Sequence, residues 1–140
     1  MKKIFIQSMT DKITHWVDLS ENDVRVAEDL LRLKHYLQAS FFCHLAVEKI
    51  FKACYTKLKK GTPPFRHELD LLAKRSEFYD LLSEEQKHFL DILDPFNIEA
   101  RYPEYKSFLA QSLTQSRCEY LLQETKNLLQ WTKEEILSKK

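Results

Sequence analysis

Residues 36–69 read YLQASFFCHLAVEKIFKACYTKLKKGTPPFRHEL. At 100° per residue, Ala39, Phe42, Cys43, Ala46, Val47, Ile50, Phe51, Ala53, Cys54 and Leu58 fill about half of a helical wheel. The other half carries His44, Glu48, Lys49 and Lys52, but also Phe41, Leu45 and Tyr55. A helix with large apolar groups on its polar side has something further to cover there: a partner subunit, a ligand or a second layer of helix. The stretch ends at the single glycine of the chain, Gly61, followed by Pro63-Pro64 and a new helix start at His67-Glu68-Leu69. Gly61 suits a left-handed C′ position, and the two prolines forbid continuation.

One glycine and four prolines in 140 residues leave few tight turns, which points to long helices rather than strands. A chain of this length fits one domain over 1–140 and can bury about two thirds of its unfolded surface. With 44% hydrophobic and 31% charged residues, it has the composition of a globular protein. Outward from the central stretch, periodicity predicts a first helix over about 12–34 with Thr10 or Thr14 as cap, and the second over 36–60. A short third follows over 67–79, and a fourth opens on the capping-box residues Ser83-Glu84-Glu85-Gln86. An aromatic-rich loop from Pro95 to Lys106 then precedes a last helix over 107–138. The expected fold is all-α, an up-and-down bundle of about five helices, with the second and last at its centre. Trp16 and Trp131 are expected as core or interface anchors.

Lysine and arginine (22) nearly balance aspartate and glutamate (21), which gives no strong signal for an electrostatically driven nucleic-acid binder. Cys43, Cys54 and Cys118 have no CxxC spacing. Cys43 and Cys54 share a helix face about 16 Å apart along its axis, too far to pair, so reduced core cysteines are expected. The N-terminal run is too short in apolar residues for a signal peptide and nothing approaches a membrane span. The expected location is the cytoplasm, with no membrane.

Three motifs together resemble a known family. Tyr36-x-x-Ala39-x-Phe41 followed by His44-Leu-Ala-Val-Glu48-Lys49-Ile-x-Lys52-Ala53 is similar to the second helix of HEPN domains. Gly61-Thr62-Pro63-Pro64 with Arg66-His67-Glu68-Leu69 matches the family's next helix start, and Ala100-Arg101-Tyr102-Pro103-Glu104 its loop before the last long helix. The resemblance implies a helical homodimer, encoded beside a minimal nucleotidyltransferase in a toxin–antitoxin-like pair and helping to bind that enzyme's nucleotide. One departure stands out. HEPN ribonucleases carry an Arg followed after four to six residues by a His, and no arginine here has one; after Arg101 those places hold Lys106, Ser107 and Phe108. Such cleavage needs an acid–base group beside a cation for the phosphate, so the resemblance implies a non-catalytic partner. The alternatives are a divergent ribonuclease toxin joining Arg101 to His44 or His67, and a purely structural dimerisation module.

The candidate nucleotide-binding or interface residues are His44, Glu48, Lys49, Lys52, His67, Arg101 and Tyr102. His44 and Glu48, at i and i+4, form either a polar pair at an interface or ligand site, or an intrahelical hydrogen bond. Lys49 and Lys52 either receive phosphates or cover apolar surface with their stems. His67 either caps and packs a helix start or takes part in the site. Arg101 offers a planar fork for phosphate, or for a carboxylate such as Glu48, and Tyr102 a ring for a base. No metal site and no cofactor is indicated: HxxxE is not HExxH, and metal-binding carboxylates for nucleotidyl transfer would have to come from another chain.

Overall fold

The structure is a computed structural model in which residues 8–139 are described. Six α-helices make up most of it: α1 (Met9–Arg32), α2 (Tyr36–Lys59), α3 (Leu69–Arg75), α4 (Glu84–Leu93), α5 (Pro103–Ser112) and α6 (Gln115–Thr132). No strand is present among the described residues. The all-α bundle expected from the sequence is therefore the observed fold.

α2 is the axis of the bundle. Fourteen of its 24 residues are buried, on every side of the helix. α1 packs antiparallel along it after a short connection, so that Trp16 near its start meets Lys52 toward the end of α2 (5.6 Å); between them the Ser20 hydroxyl donates to the Ala46 carbonyl (2.6 Å) and Lys49 pairs with Asp23 (2.7 Å). α6 runs parallel to α2 on another side. Ser40 meets Cys118 near the start of both helices, and Lys57 reaches the Ile136 and Leu137 carbonyls near their ends (2.8 and 2.9 Å). The short helices α3 to α5 bring the chain back between these two parallel passes. Lys57 thus serves the carbonyl end of the terminal helical segment.

Several boundaries differ from the sequence reading. Ser8, not Thr10 or Thr14, caps α1, its side chain accepting from the Asp11 N–H at 3.0 Å. The left-handed residue ending α2 is Lys60 (φ 55°), one position before Gly61, whose own φ is not positive. Lys60 N–H reaches back to the Thr56 carbonyl at 3.1 Å, so the turn closes before the glycine is needed. α3 begins at Leu69 rather than His67 and stops at Arg75. The expected Pro95–Lys106 loop is mostly helical: two 3₁₀ turns bury Phe96 and Ile98, and Pro103 opens α5 as a first-turn proline. The last helix is broken in two. Leu113 is extended (ψ 133°) and buried, and Thr114 caps α6 by accepting from Arg117 N–H at 3.1 Å. The capping box at Ser83–Gln86 is present as read, with bonds of 3.0 and 2.8 Å.

The core is contiguous, running from Ala27 through Val47, Ile50 and Phe51 to Leu72, Phe78, Leu93, Leu121 and Ile136. Trp131 is partly buried against it. The buried hydroxyls of Ser40, Thr56 and Thr132 donate to carbonyls four residues back, which lets polar residues sit inside helices without orphaned donors. All three cysteines are free and buried. Burial pushes the Cys43 thiol up to about 12, against a smaller opposing effect of the Thr125 hydroxyl, and raises Cys54 and Cys118 as well. A thiol kept protonated and covered is a poor nucleophile. None of the three is expected to react with Ellman's reagent in the native protein, and all three should react in denaturant.

Candidate functional site

Glu48 is the hub of the polar side of α2. Its side chain is 6% exposed, and Oε2 accepts from two cationic or imidazole donors at 3.0 Å each: Lys52 Nζ, one turn on, and His67 Nδ1. Because a carboxylate only accepts, the proton of that second bond is on Nδ1, and Nε2 of the partly exposed His67 ring is left as the free lone pair. Oε1 lies 3.7 Å from Nδ1 of His44.

His44 is wholly buried. Its other nitrogen, Nε2, is 3.6 Å from Oδ1 of Asp94, so one imidazole stands between two carboxylates. A neutral ring carries one N–H and serves one of them, whereas a protonated ring serves both. Asp94 in turn accepts the Leu69 N–H at 3.3 Å, which ties the start of α3 to the end of α4. Burial acts to raise the Asp94 carboxyl, but the His44 ring, the Leu69 N–H and the Arg101 guanidinium together hold it below the ordinary carboxylate value. The stability this group contributes is therefore present above its unfolded value near 4 and is lost as pH falls through the lower folded value. Asp94→Asn is expected to cost more stability at pH 7 than at pH 3, as read by urea unfolding at both.

Toward solvent, the Lys52 ammonium lies 5.6 Å from the Trp16 ring and 6.0 Å from that of Phe65, and Phe65 meets His67 edge-on at 5.2 Å. Phe65 is 87% exposed, a large ring left in water at the mouth of the cluster. Beside it a cleft of about 220 Å³ opens between the start of α1, the end of α2 and the loop that follows. Lys12, His15, Trp16, Thr56 and Gly61–Pro63 line it. Pro63, one of the two prolines that stop α2, thus also forms part of one wall.

The structure brings together four sequence candidates, His44, Glu48, Lys52 and His67, and separates the other three. Lys49 turns to α1, where it pairs with Asp23; burial raises that carboxyl although Lys49 opposes the shift. Arg101 does not reach Glu48. Its Nε donates to the Pro95 carbonyl (3.2 Å) and its guanidinium lies over the Tyr105 ring at 5.2 Å. Tyr102 is 83% exposed. The polar stripe of α2 is covered from within the chain, by Trp16, His67 and Asp94. Asp94, Trp16 and Phe65 are the members that sequence reasoning did not include. The one available hint for Asp94 was its place just before Pro95, at a helix end. Among the described residues no three His, Cys, Asp or Glu side chains are grouped to hold a metal ion. Nor is any helix among them long and apolar enough to cross a membrane.

The HEPN domain family model matches residues 13–136, nearly the whole chain. The chain belongs to the HEPN family. This HEPN protein is similar in fold to the crystal structure of TT1696 from Thermus thermophilus, with a TM-score of 0.72. The likeness covers 88% of this chain and 97% of that one at 22% identity, a level that speaks for the fold alone. No curated protein matches the chain.

Proposed function

We propose that this HEPN protein is the non-catalytic helical partner of a minimal nucleotidyltransferase in a toxin–antitoxin-like pair, acts as a homodimer, and helps to hold the enzyme's nucleotide. What carries the reading is the make-up of the mouth above Glu48: the Trp16 and Phe65 rings on which a base can stack, with Lys12, His15 and Lys52 beside them as donors for phosphate. Ligand sites are typically about 300–1,000 Å³. A cleft of about 220 Å³ takes part of a nucleotide and leaves the rest, with the metal-binding carboxylates, to a second chain. The absent Arg…His pair favours binding over cleavage. A ribonuclease built on His44 is disfavoured further, because a wholly buried ring offers no face to RNA. An assembled state is supported by the α5 segment, where Leu109 is buried but Phe108, and Tyr102 just before the helix, are 64% and 83% exposed.

Affinity purification of the tagged protein from its native host tests this. A nucleotidyltransferase should co-purify, and nucleotide should raise the melting temperature of the complex. If no such enzyme is retained and no nucleotide shifts the melting curve, the reading fails.

A further inference from the structure

A groove of about 550 Å³ lies between α4 and α6, and the proposed function does not use it. Its floor is apolar: Phe89 and Leu128 are 4% and 3% exposed, and Trp131 is partly buried beside them. Tyr120 forms part of the α6 wall, meeting Phe89 edge-on at 6.3 Å while Arg117 lies over its ring at 5.3 Å. Glu85 on α4 and Glu124 on α6 stand on the two walls. Neither has an ion-pair partner among the described residues, and no lysine or arginine lines the groove.

The neighbouring groove, between α1 and α6, is a useful contrast. There Glu21 and Glu28 are closed off by Lys133 and Lys126, so that the chain neutralises its own carboxylates. Between α4 and α6 the acids are left open on either side of an apolar floor. That pattern complements an apolar side chain flanked by cations, the exposed face of a basic amphipathic helix.

We infer that the α4–α6 groove docks a basic amphipathic segment of a partner protein. An apolar side chain seats against Phe89, Leu128 and Trp131, and lysines or arginines on either side meet Glu85 and Glu124. The groove runs between two helices, a shape that suits a chain segment. Nothing in the inference depends on nucleotide binding by the Glu48 cluster.

Fluorescence anisotropy with two labelled peptides tests it: an amphipathic helix of leucine and lysine, and its counterpart with glutamate for lysine. The lysine peptide should bind and the glutamate peptide should not. Glu85→Gln with Glu124→Gln should weaken binding about tenfold. Raising salt from about 0.1 M to about 1 M, which shortens the Debye length from about 10 Å to about 3 Å, should weaken it too. If the double variant melts early, the single Glu124→Gln carries the same comparison. Equal binding of both peptides overturns the inference, as does unchanged binding by a folded variant. So does a double variant that sediments as a smaller species, since the groove would then belong to a second copy of this chain.

Discussion

Glu48→Ala is expected to destabilise the fold by about 3–5 kcal/mol, the usual cost of removing one partner from a buried ion pair. The carboxylate has no solvent to replace it: its side chain is 6% exposed, and it supports Lys52 and His67 at 3.0 Å while facing His44 at 3.7 Å. Truncation leaves a Lys52 ammonium, itself only 9% exposed, without the carboxylate it pairs with. Against a typical total of about 5–15 kcal/mol, that loss is large. The double variant Glu48→Leu, Lys52→Met removes both charges and should recover most of it, because an apolar pair of similar volume is often neutral relative to a buried ion pair. Urea unfolding followed by circular dichroism gives both numbers. A single-variant cost under about 1 kcal/mol would mean that the pair is worth no more than a surface one.

Phe51→Ala is expected to cost about as much, 3–5 kcal/mol by the usual range for a buried phenylalanine, and for a different reason. Phe51 is fully buried on the apolar side of α2 and packs edge-to-face on Phe78 at 5.0 Å. Its loss opens a cavity where α2 supports the end of α3. Phe78→Ala should behave alike. The double variant should fall short of the sum by about 0.5–1.5 kcal/mol, the part due to the ring pair itself. Additive losses would show that the two rings contribute independently through area alone.

These two variants sit three residues apart, on adjoining polar and apolar surfaces of the same helix, and the two surfaces were not equally readable in the sequence. The apolar face, with Phe51, Ile50 and Val47, follows from 3.6-residue periodicity, which tertiary packing reinforces. The polar face was legible as a list of residues but not as a set of contacts. His44, Glu48 and Lys52 share a helix surface by spacing, whereas Asp94 and His67 reach them only through packing across 19 to 50 positions of chain. Arg101 was read as a fork for phosphate or for a carboxylate such as Glu48 but turned to Pro95 and Tyr105, across the 3₁₀ turns after α4. The helix break at Leu113-Thr114 was likewise hidden. Thr114 has no acidic or amide residue at the third position to complete a capping box, since Arg117 stands there. Lys60 in place of Gly61 shows how little a glycine alone fixes a boundary: a Cβ on Gly61 would meet nothing closer than the Lys59 carbonyl oxygen at 3.8 Å.

The proposed function stands or falls on whether the mouth above Glu48 holds part of a nucleotide. Calorimetric titration of ATP into the purified HEPN protein decides this, with Trp16→Ala as the paired variant and melting curves to confirm that both are folded. Weak saturable binding is expected from the wild type, at least tenfold weaker in Trp16→Ala, and tighter when the co-purified partner is present. Binding that Trp16→Ala leaves unchanged, or no heat from either protein with or without the partner, would overturn it.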